Sequence, residues 1–90
     1  MTKKYALTDE YTVTKIADNF PRSLSTYFIC VYNSDQENRA TFTKNEILNE
    51  KMRSWTKFKN DIRALAGLYV LNFRDLGDLI QVEMIPQATI

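Results

Sequence analysis

The 90-residue chain is 44% hydrophobic and 26% charged, and its formal net charge is +1. These values predict a single globular domain over residues 1–90, and they exclude a disordered chain and a multidomain protein. A net charge near zero favours neither a nucleic-acid partner nor a protein partner, so the distribution of charge along the chain matters more than its sum.

Cysteine usage and hydropathy indicate the cellular compartment. The single cysteine, Cys30, lies in an apolar run and has no second cysteine with which to form an internal disulfide, which is typical of the reducing cytoplasm. The first residues lead into a polar stretch, and no apolar run approaches the ~20 residues that span a bilayer. We therefore expect a cytoplasmic protein that makes no contact with a membrane.

The N-terminal element, within residues 1–22, is ambiguous between a helix and a strand. Apolar residues at helical spacing from Val13 through Ile16 and Ala17 to Phe20 favour a helix that Thr8 would cap. The threonines among these residues also suit a strand. The element is predicted to end at the Phe20-Pro21 step, because the residue before a proline avoids helical geometry.

Residues 23–33 present the same choice between helix and strand. Ser23 could cap a helix, whereas the β-branched and aromatic residues that follow favour a strand. The inner face of such a helix would consist of Leu24, Tyr27, Phe28 and Val31. The polar residues 33–38 predict a loop, and residues 40–42 predict a short strand.

The clearest local pattern is a capping box from Thr43 to Glu46. The Thr43 hydroxyl can accept from the backbone N–H of Glu46, and the Glu46 carboxylate can accept from the N–H of Thr43, so a helix is predicted to begin here. Apolar residues follow at helical positions: Ile47, Leu48, Met52, Trp55, Phe58, Ile62, Leu65 and Ala66. Gly67 is predicted to end the helix, because glycine readily adopts the left-handed conformation that closes many helices.

A C-terminal β-hairpin is also indicated. Residues 68–73 are rich in strand-forming types, and residues 80–84 alternate apolar and polar side chains, as in a strand with one solvated face. Between them, residues 74–78 predict a turn with Gly77 at a position of positive φ. The tail, residues 86–90, is predicted to be frayed.

Residues 40–85 resemble a winged helix-turn-helix domain in the order of their elements, which is a short strand, a helix with a capping box, a basic helix and a hairpin. The resemblance implies that residues 23–33 form the first helix, that residues 54–65 form the recognition helix and that the hairpin is the wing. The predicted fold class is therefore α+β, a small winged-helix-like domain with a C-terminal β-hairpin. An alternative stays open, because the apolar residues of 44–66 share one face and suit a single long helix packed on an antiparallel sheet.

Basic residues are concentrated in the predicted helical region. Residues 39–63 contain seven basic and three acidic groups, a net charge of +4, between mildly acidic flanks. Such segregation suits a surface that faces phosphate, although a solvated helix face would have the same pattern. On the winged-helix interpretation, the residues that contact base edges are Thr56, Lys57, Asn60 and Arg63. Those that contact phosphate are Lys44, Lys51, Arg53 and Lys59, and Arg74 at the wing tip would enter the minor groove or contact the backbone.

The residue types that most catalytic sites require are missing. The sequence has no histidine and no glycine-rich phosphate loop, so we expect no enzymatic activity, no cofactor and no metal site. We expect a small regulator or accessory factor of transcription that binds double-stranded DNA as a monomer or homodimer, of the kind carried by phages and mobile elements. The alternative is an inhibitor or adaptor that binds a host protein, as anti-restriction and anti-CRISPR proteins of this size do.

Overall fold

The computed structural model describes residues 10–86, and within this range the chain forms one α+β domain with winged-helix-like element order. The α-helices are α1 (Glu10–Asn19), α2 (Leu24–Asn33) and α3 (Trp55–Gly67), and the strands are β1 (Arg39–Thr43), β2 (Leu71–Asp75) and β3 (Leu79–Met84). A 3-10 turn (Pro21–Ser23) joins α1 to α2, and a π-helical segment (Glu46–Glu50) lies between β1 and α3. The predicted fold class is thus confirmed. The Thr8 cap and the tail beyond Pro86 lie outside the described residues.

The first ambiguous element is a helix that ends before the Phe20-Pro21 step, as predicted. Its buried residues are Thr12 and Ile16, whereas Ala17 and Phe20 are exposed, so the predicted apolar stripe is only partly correct. The helix contacts the core mainly through one turn, and this leaves the C-terminal end of α1 in solvent.

The second ambiguous element, α2, is also a helix. Tyr27, Cys30 and Val31 are buried in the core, and this burial outweighs the strand propensity of the segment. Burial also raises the pKa of the Cys30 thiol. The prediction that Ser23 caps α2 is wrong, because its backbone is helical (φ −89°, ψ −4°) rather than extended, and its hydroxyl donates instead to Oδ1 of Asp61 at 3.1 Å.

The three strands form an antiparallel sheet in the order β1-β3-β2. Alternation along β3 directs Ile80, Val82 and Met84 into the core, opposite Phe42 and other residues of β1 and β2. The outer face of the sheet is polar. Its cross-strand rows are Arg39-Glu83-Asn72 and Thr41-Gln81-Arg74.

The alternative of one long helix over residues 44–66 is wrong. The backbone N–H of Glu46 donates to the Thr43 hydroxyl at 3.1 Å, so the predicted start of a helix is confirmed. The helix is short, however, because Met52 has a positive φ of 55° and turns the chain. Met52 is 81% exposed and Leu48 is 41% exposed, so neither contributes to the apolar face that suggested a continuous helix.

A new helix, α3, begins after this break. Ser54 has the extended backbone of an N-cap residue, and its hydroxyl accepts from the N–H of Lys57 at 3.2 Å. The buried residues of α3 are Trp55, Phe58, Asp61, Ile62 and Leu65. The capped start and this buried face fix the rotation of α3, and therefore which of its residues reach solvent.

The end of α3 differs from the prediction in one respect. Gly67 is the last helical residue, but the left-handed conformation falls on Tyr69, with φ of 62°. The N–H of Tyr69 donates to Ala66 O at 3.0 Å and that of Val70 donates to Leu65 O at 3.3 Å, which is the Schellman pattern of a helix end. This turn occupies residues 68–70, so β2 begins later than predicted. In the hairpin turn, Gly77 has the predicted positive φ, 92°.

Candidate nucleic-acid interface

The solvent side of α3 carries a row of polar side chains. Thr56, Asn60 and Arg63 are exposed and are spaced at i, i+4 and i+7, which places them on one side of the helix, opposite the buried Phe58 and Ile62. The guanidinium of Arg63 donates to Oδ1 of Asn60 at 3.0 Å, so two of the predicted base-contacting residues are in direct contact.

The only acidic residue of α3, Asp61, does not belong to this exposed surface. Its carboxylate is buried and accepts hydrogen bonds from the hydroxyls of Ser23 at 3.1 Å and Thr26 at 2.7 Å. Charged acceptors inside a protein need such donors. The exposed side of α3 therefore contains no acidic group. This contact is not predicted from the sequence, although Asp61 lies three residues after the apolar Phe58 and so falls on the inner side of the helix.

Two cations lie at the start of α3, next to a small cavity of about 240 Å³. The cavity is lined by Thr26, Met52, Arg53, Ser54, Lys57, Phe58 and Asp61. Arg53 is half-buried and Lys57 is exposed, and neither forms an ion pair within residues 10–86. Both are therefore available to an anion that approaches the N-terminal end of α3.

The hairpin contributes an acidic group, Asp75, which the sequence predicts only as part of the turn over residues 74–78. The Asp75 carboxylate accepts from Nζ of Lys59 at 2.9 Å and from Nη2 of Arg63 at 3.2 Å. The Lys59 side chain is only 18% exposed, whereas that of Arg63 is 51% exposed. Lys59 is thus held within the fold, and Arg63 is paired but still open to solvent.

The hairpin turn is fixed to α3 by further contacts around Gly77. The indole N–H of Trp55 donates to Gly77 O at 3.0 Å, and Lys59 reaches the same carbonyl at 3.3 Å. The ammonium of Lys59 lies 5.5 Å from the centre of the Trp55 ring, within the range of a cation–π contact. The N–H of Gly77 donates to Oδ1 of Asp75 at 2.9 Å, and this bond and Lys59 hold the pKa of the Asp75 carboxyl below its usual value.

Arg74 does not join the other predicted residues. The prediction that it lies at the tip of the hairpin is wrong, because β2 continues through Asp75 and the turn is formed by residues 76–78. Successive side chains of a strand point to opposite faces. Since Asp75 points to α3, Arg74 points to the outer face of the sheet, opposite Gln81.

The remaining predicted cations lie at the borders of the α3 surface. Lys44 is exposed next to the hairpin turn, where its backbone N–H donates to Asp78 O at 2.8 Å. Lys51 is half-buried at the end of the π-helical segment. The structure thus brings Thr56, Lys57, Lys59, Asn60 and Arg63 onto one helix, with Lys51 and Arg53 on the preceding turn, Lys44 next to the hairpin turn and Arg74 on another face.

The fold and this surface define a small α+β domain that presents a capped, basic helix beside a short β-hairpin. In residues 10–86 there is no helix long and apolar enough to cross a membrane, and no cluster of three or more potential metal-ligating side chains. No protein-family model matches the chain, and searches of curated proteins and of solved structures find no match.

Proposed function

We propose that this chain is a small, non-enzymatic DNA-binding regulator or accessory factor that places α3 in the major groove of double-stranded DNA. One observation carries the proposal: α3 turns its only acidic side chain, Asp61, into the core and presents cations and amide or hydroxyl groups to solvent. An α-helix fits the major groove, which is ~12 Å wide and displays a distinct pattern of donors and acceptors for each base pair.

The exposed side chains divide into two roles. Asn60 suits adenine, and Arg63 and Lys57 suit guanine, because these side chains match the hydrogen-bonding edges of those bases. Arg53, Lys51 and Lys44 border the helix and would contact phosphate, which positions a protein without selecting sequence. A single α3 offers few base contacts, so a homodimer would lengthen the recognised site. The lone buried cysteine supports a cytoplasmic location.

The proposal is tested by titrating a labelled duplex with the protein at about 50 and about 200 mM salt. We expect binding that weakens steeply with salt, and a loss of about tenfold or more in affinity for Lys57→Glu, which reverses a charge on the proposed interface. The matched control is Arg74→Glu, the same charge change on the outer face of the sheet, and it should leave the affinity within about twofold of the wild type. Absence of duplex binding at the lower salt concentration would refute the proposal.

A second candidate, an inhibitor or adaptor that binds a host protein, is favoured by the surface of α2. This helix has no charged residue, and its outward Tyr32 is 77% exposed beside Phe28 and Ile29, which are partly buried against the core. Exposed aromatic side chains on an uncharged surface are typical of protein contacts. If this candidate is correct, the duplex titration shows no binding at either salt concentration. Tyr32→Ser then weakens binding to the host protein, whereas Lys57→Glu does not.

A further inference from the structure

We propose that Asp75 is a specificity-determining residue of the DNA-binding surface. Its carboxylate forms ion pairs with Lys59 and Arg63 at the position where a DNA phosphate would otherwise bind them. This inference rests on the proposed function and adds a regulatory element to it. In the free protein the two cations are satisfied internally, so a polyanion that only touches the surface gains little from them.

The geometry of the carboxylate supports this role. Oδ1 of Asp75 accepts from Lys59 at 2.9 Å and Oδ2 accepts from Arg63 at 3.2 Å, so each oxygen faces a different cation. Two oxygens of one phosphate group would meet the same pair of donors. The N–H of Gly77 donates to Oδ1 at 2.9 Å and fixes the orientation of the carboxylate toward α3.

The two cations differ in how firmly they are held. Lys59 has a second acceptor, Gly77 O at 3.3 Å, and lies over the ring of Trp55, so it stays with the hairpin. Arg63 is half-exposed, and its other contact is to Asn60 on the same helix. Arg63 is thus the group that would exchange Asp75 for DNA. A base edge that pairs with both Arg63 and Asn60 compensates for the lost carboxylate, whereas a loosely bound phosphate does not.

The experiment compares the wild type with Asp75→Asn in titrations of a random-sequence duplex at about 50 and about 200 mM salt. Asparagine keeps an oxygen that can accept from Gly77 but removes the charge that neutralises the two cations. Each additional phosphate contact steepens the salt dependence by a slope of about 0.9, so the release of Arg63, with Lys59 still held by Gly77 and Trp55, should increase the loss of affinity between these salt concentrations by about threefold. The affinity at low salt should rise.

The matched control is Asp78→Asn, which removes the same charge from the same hairpin at an exposed residue with no ion pair in the described part of the chain. It should leave the salt dependence close to that of the wild type. If Asp75→Asn does not fold, Asp75→Ser replaces it, since a serine hydroxyl can also accept from the turn N–H.

The outcomes separate this inference from the proposed function. Stronger, more salt-sensitive binding by Asp75→Asn than by a wild type that also binds supports the inference. If only the variant binds, DNA binding by the wild type is refuted, and the role of Asp75 is refuted with it. If the wild type binds and Asp75→Asn binds equally or more weakly, or if Asp78→Asn has the same effect, the role of Asp75 is refuted and the proposed function stands. If neither protein binds duplex at low salt, both are refuted.

Discussion

The hydroxyl of Thr26 on α2 donates a hydrogen bond of 2.7 Å to the carboxylate of Asp61 on α3. The sequence separates these residues by 35 positions, and both side chains are buried. The contact therefore joins two helices and keeps the one negative charge of α3 out of the proposed DNA-binding surface. Stability and the proposed function would therefore depend on the same carboxylate.

Removal of the donor at Thr26 should destabilise the protein. Thr26→Val keeps the shape of the side chain but leaves the Asp61 carboxylate with one hydroxyl donor fewer, and a buried hydrogen bond to a charged group contributes about 2 kcal/mol. We expect the free energy of unfolding in urea to fall by about that amount. Thr41→Val, on the solvated face of the sheet, is the control and should change it by less than about 0.5 kcal/mol. Equal effects of the two substitutions would contradict this assignment.

Glycine in place of Met52 should stabilise the turn before α3. Met52 has a positive φ of 55° and an almost fully exposed side chain, so its Cβ is strained and little packing is lost on its removal. Relief of this strain, less the greater entropy of glycine in the unfolded chain, predicts a gain of about 0.5–1 kcal/mol for Met52→Gly. Met52→Ala retains the Cβ and should give no such gain in thermal or urea unfolding. A loss of stability for Met52→Gly would show that the turn is not strained.

The pairing of Asp75 predicts a loss of stability in acid. Gly77 and Lys59 lower the pKa of Asp75 in the folded protein, so the unfolded chain, with a pKa of about 3.9, binds the proton more tightly. The contribution of the ionised Asp75 carboxylate to the free energy of unfolding is present above about pH 4, and it is lost as the pH falls through the lower, folded-state pKa.

Urea unfolding of the wild type and Asp75→Asn across this range tests that prediction. The difference between their free energies of unfolding should be constant between about pH 5 and 7 and should shrink below about pH 4. Asp35 also has a lowered pKa, chiefly because the N–H groups of Arg39 and Glu37 donate to it, so both proteins lose further stability in acid and this loss cancels in the difference between them. A difference that persists unchanged to about pH 2 would contradict the role assigned to the Asp75 carboxylate.

Arg74 and Lys57 should differ in their effect on DNA binding. Arg74 points to the outer face of the sheet, away from α3, whereas Lys57 is exposed at the start of α3. On the proposed function, Lys57→Ala reduces duplex affinity by about threefold or more at moderate salt, and Arg74→Ala, with the same change in charge, has little effect. The reverse order in a filter-binding or anisotropy titration would place the interface on the sheet.

Local patterns predicted the parts of the fold that depend on a few neighbouring residues. The capping interaction at Thr43 and the positive φ of Gly77 were predicted correctly because each follows from residues within one turn. The helix ends at Gly67 as predicted, but the left-handed residue is Tyr69 and not the glycine. The conformation of residues 23–33 could not be decided in this way. Burial of Tyr27 against other elements, rather than intrinsic propensity, selects the helix there.

Predictions about the candidate site failed where they depended on docking between elements. The pairing of Asp75 with Lys59 and Arg63 spans 16 and 12 residues and exists only because the hairpin packs on α3. Helical periodicity alone could not reveal the break at Met52, because the residues on either side of it share an apolar phase by coincidence. Side-chain spacing identifies a face, but the partner of that face is a property of the tertiary structure.

Because the indole of Trp55 donates a hydrogen bond to the carbonyl of Gly77, the fluorescence of Trp55 reports on the contact between α3 and the hairpin turn. Trp55 is the only tryptophan, so its emission arises from a single position at the junction of α3 and the hairpin turn. Any event that separates these two elements exposes the indole ring to water and shifts its emission to longer wavelength. Docking of the hairpin can thus be followed without an added label.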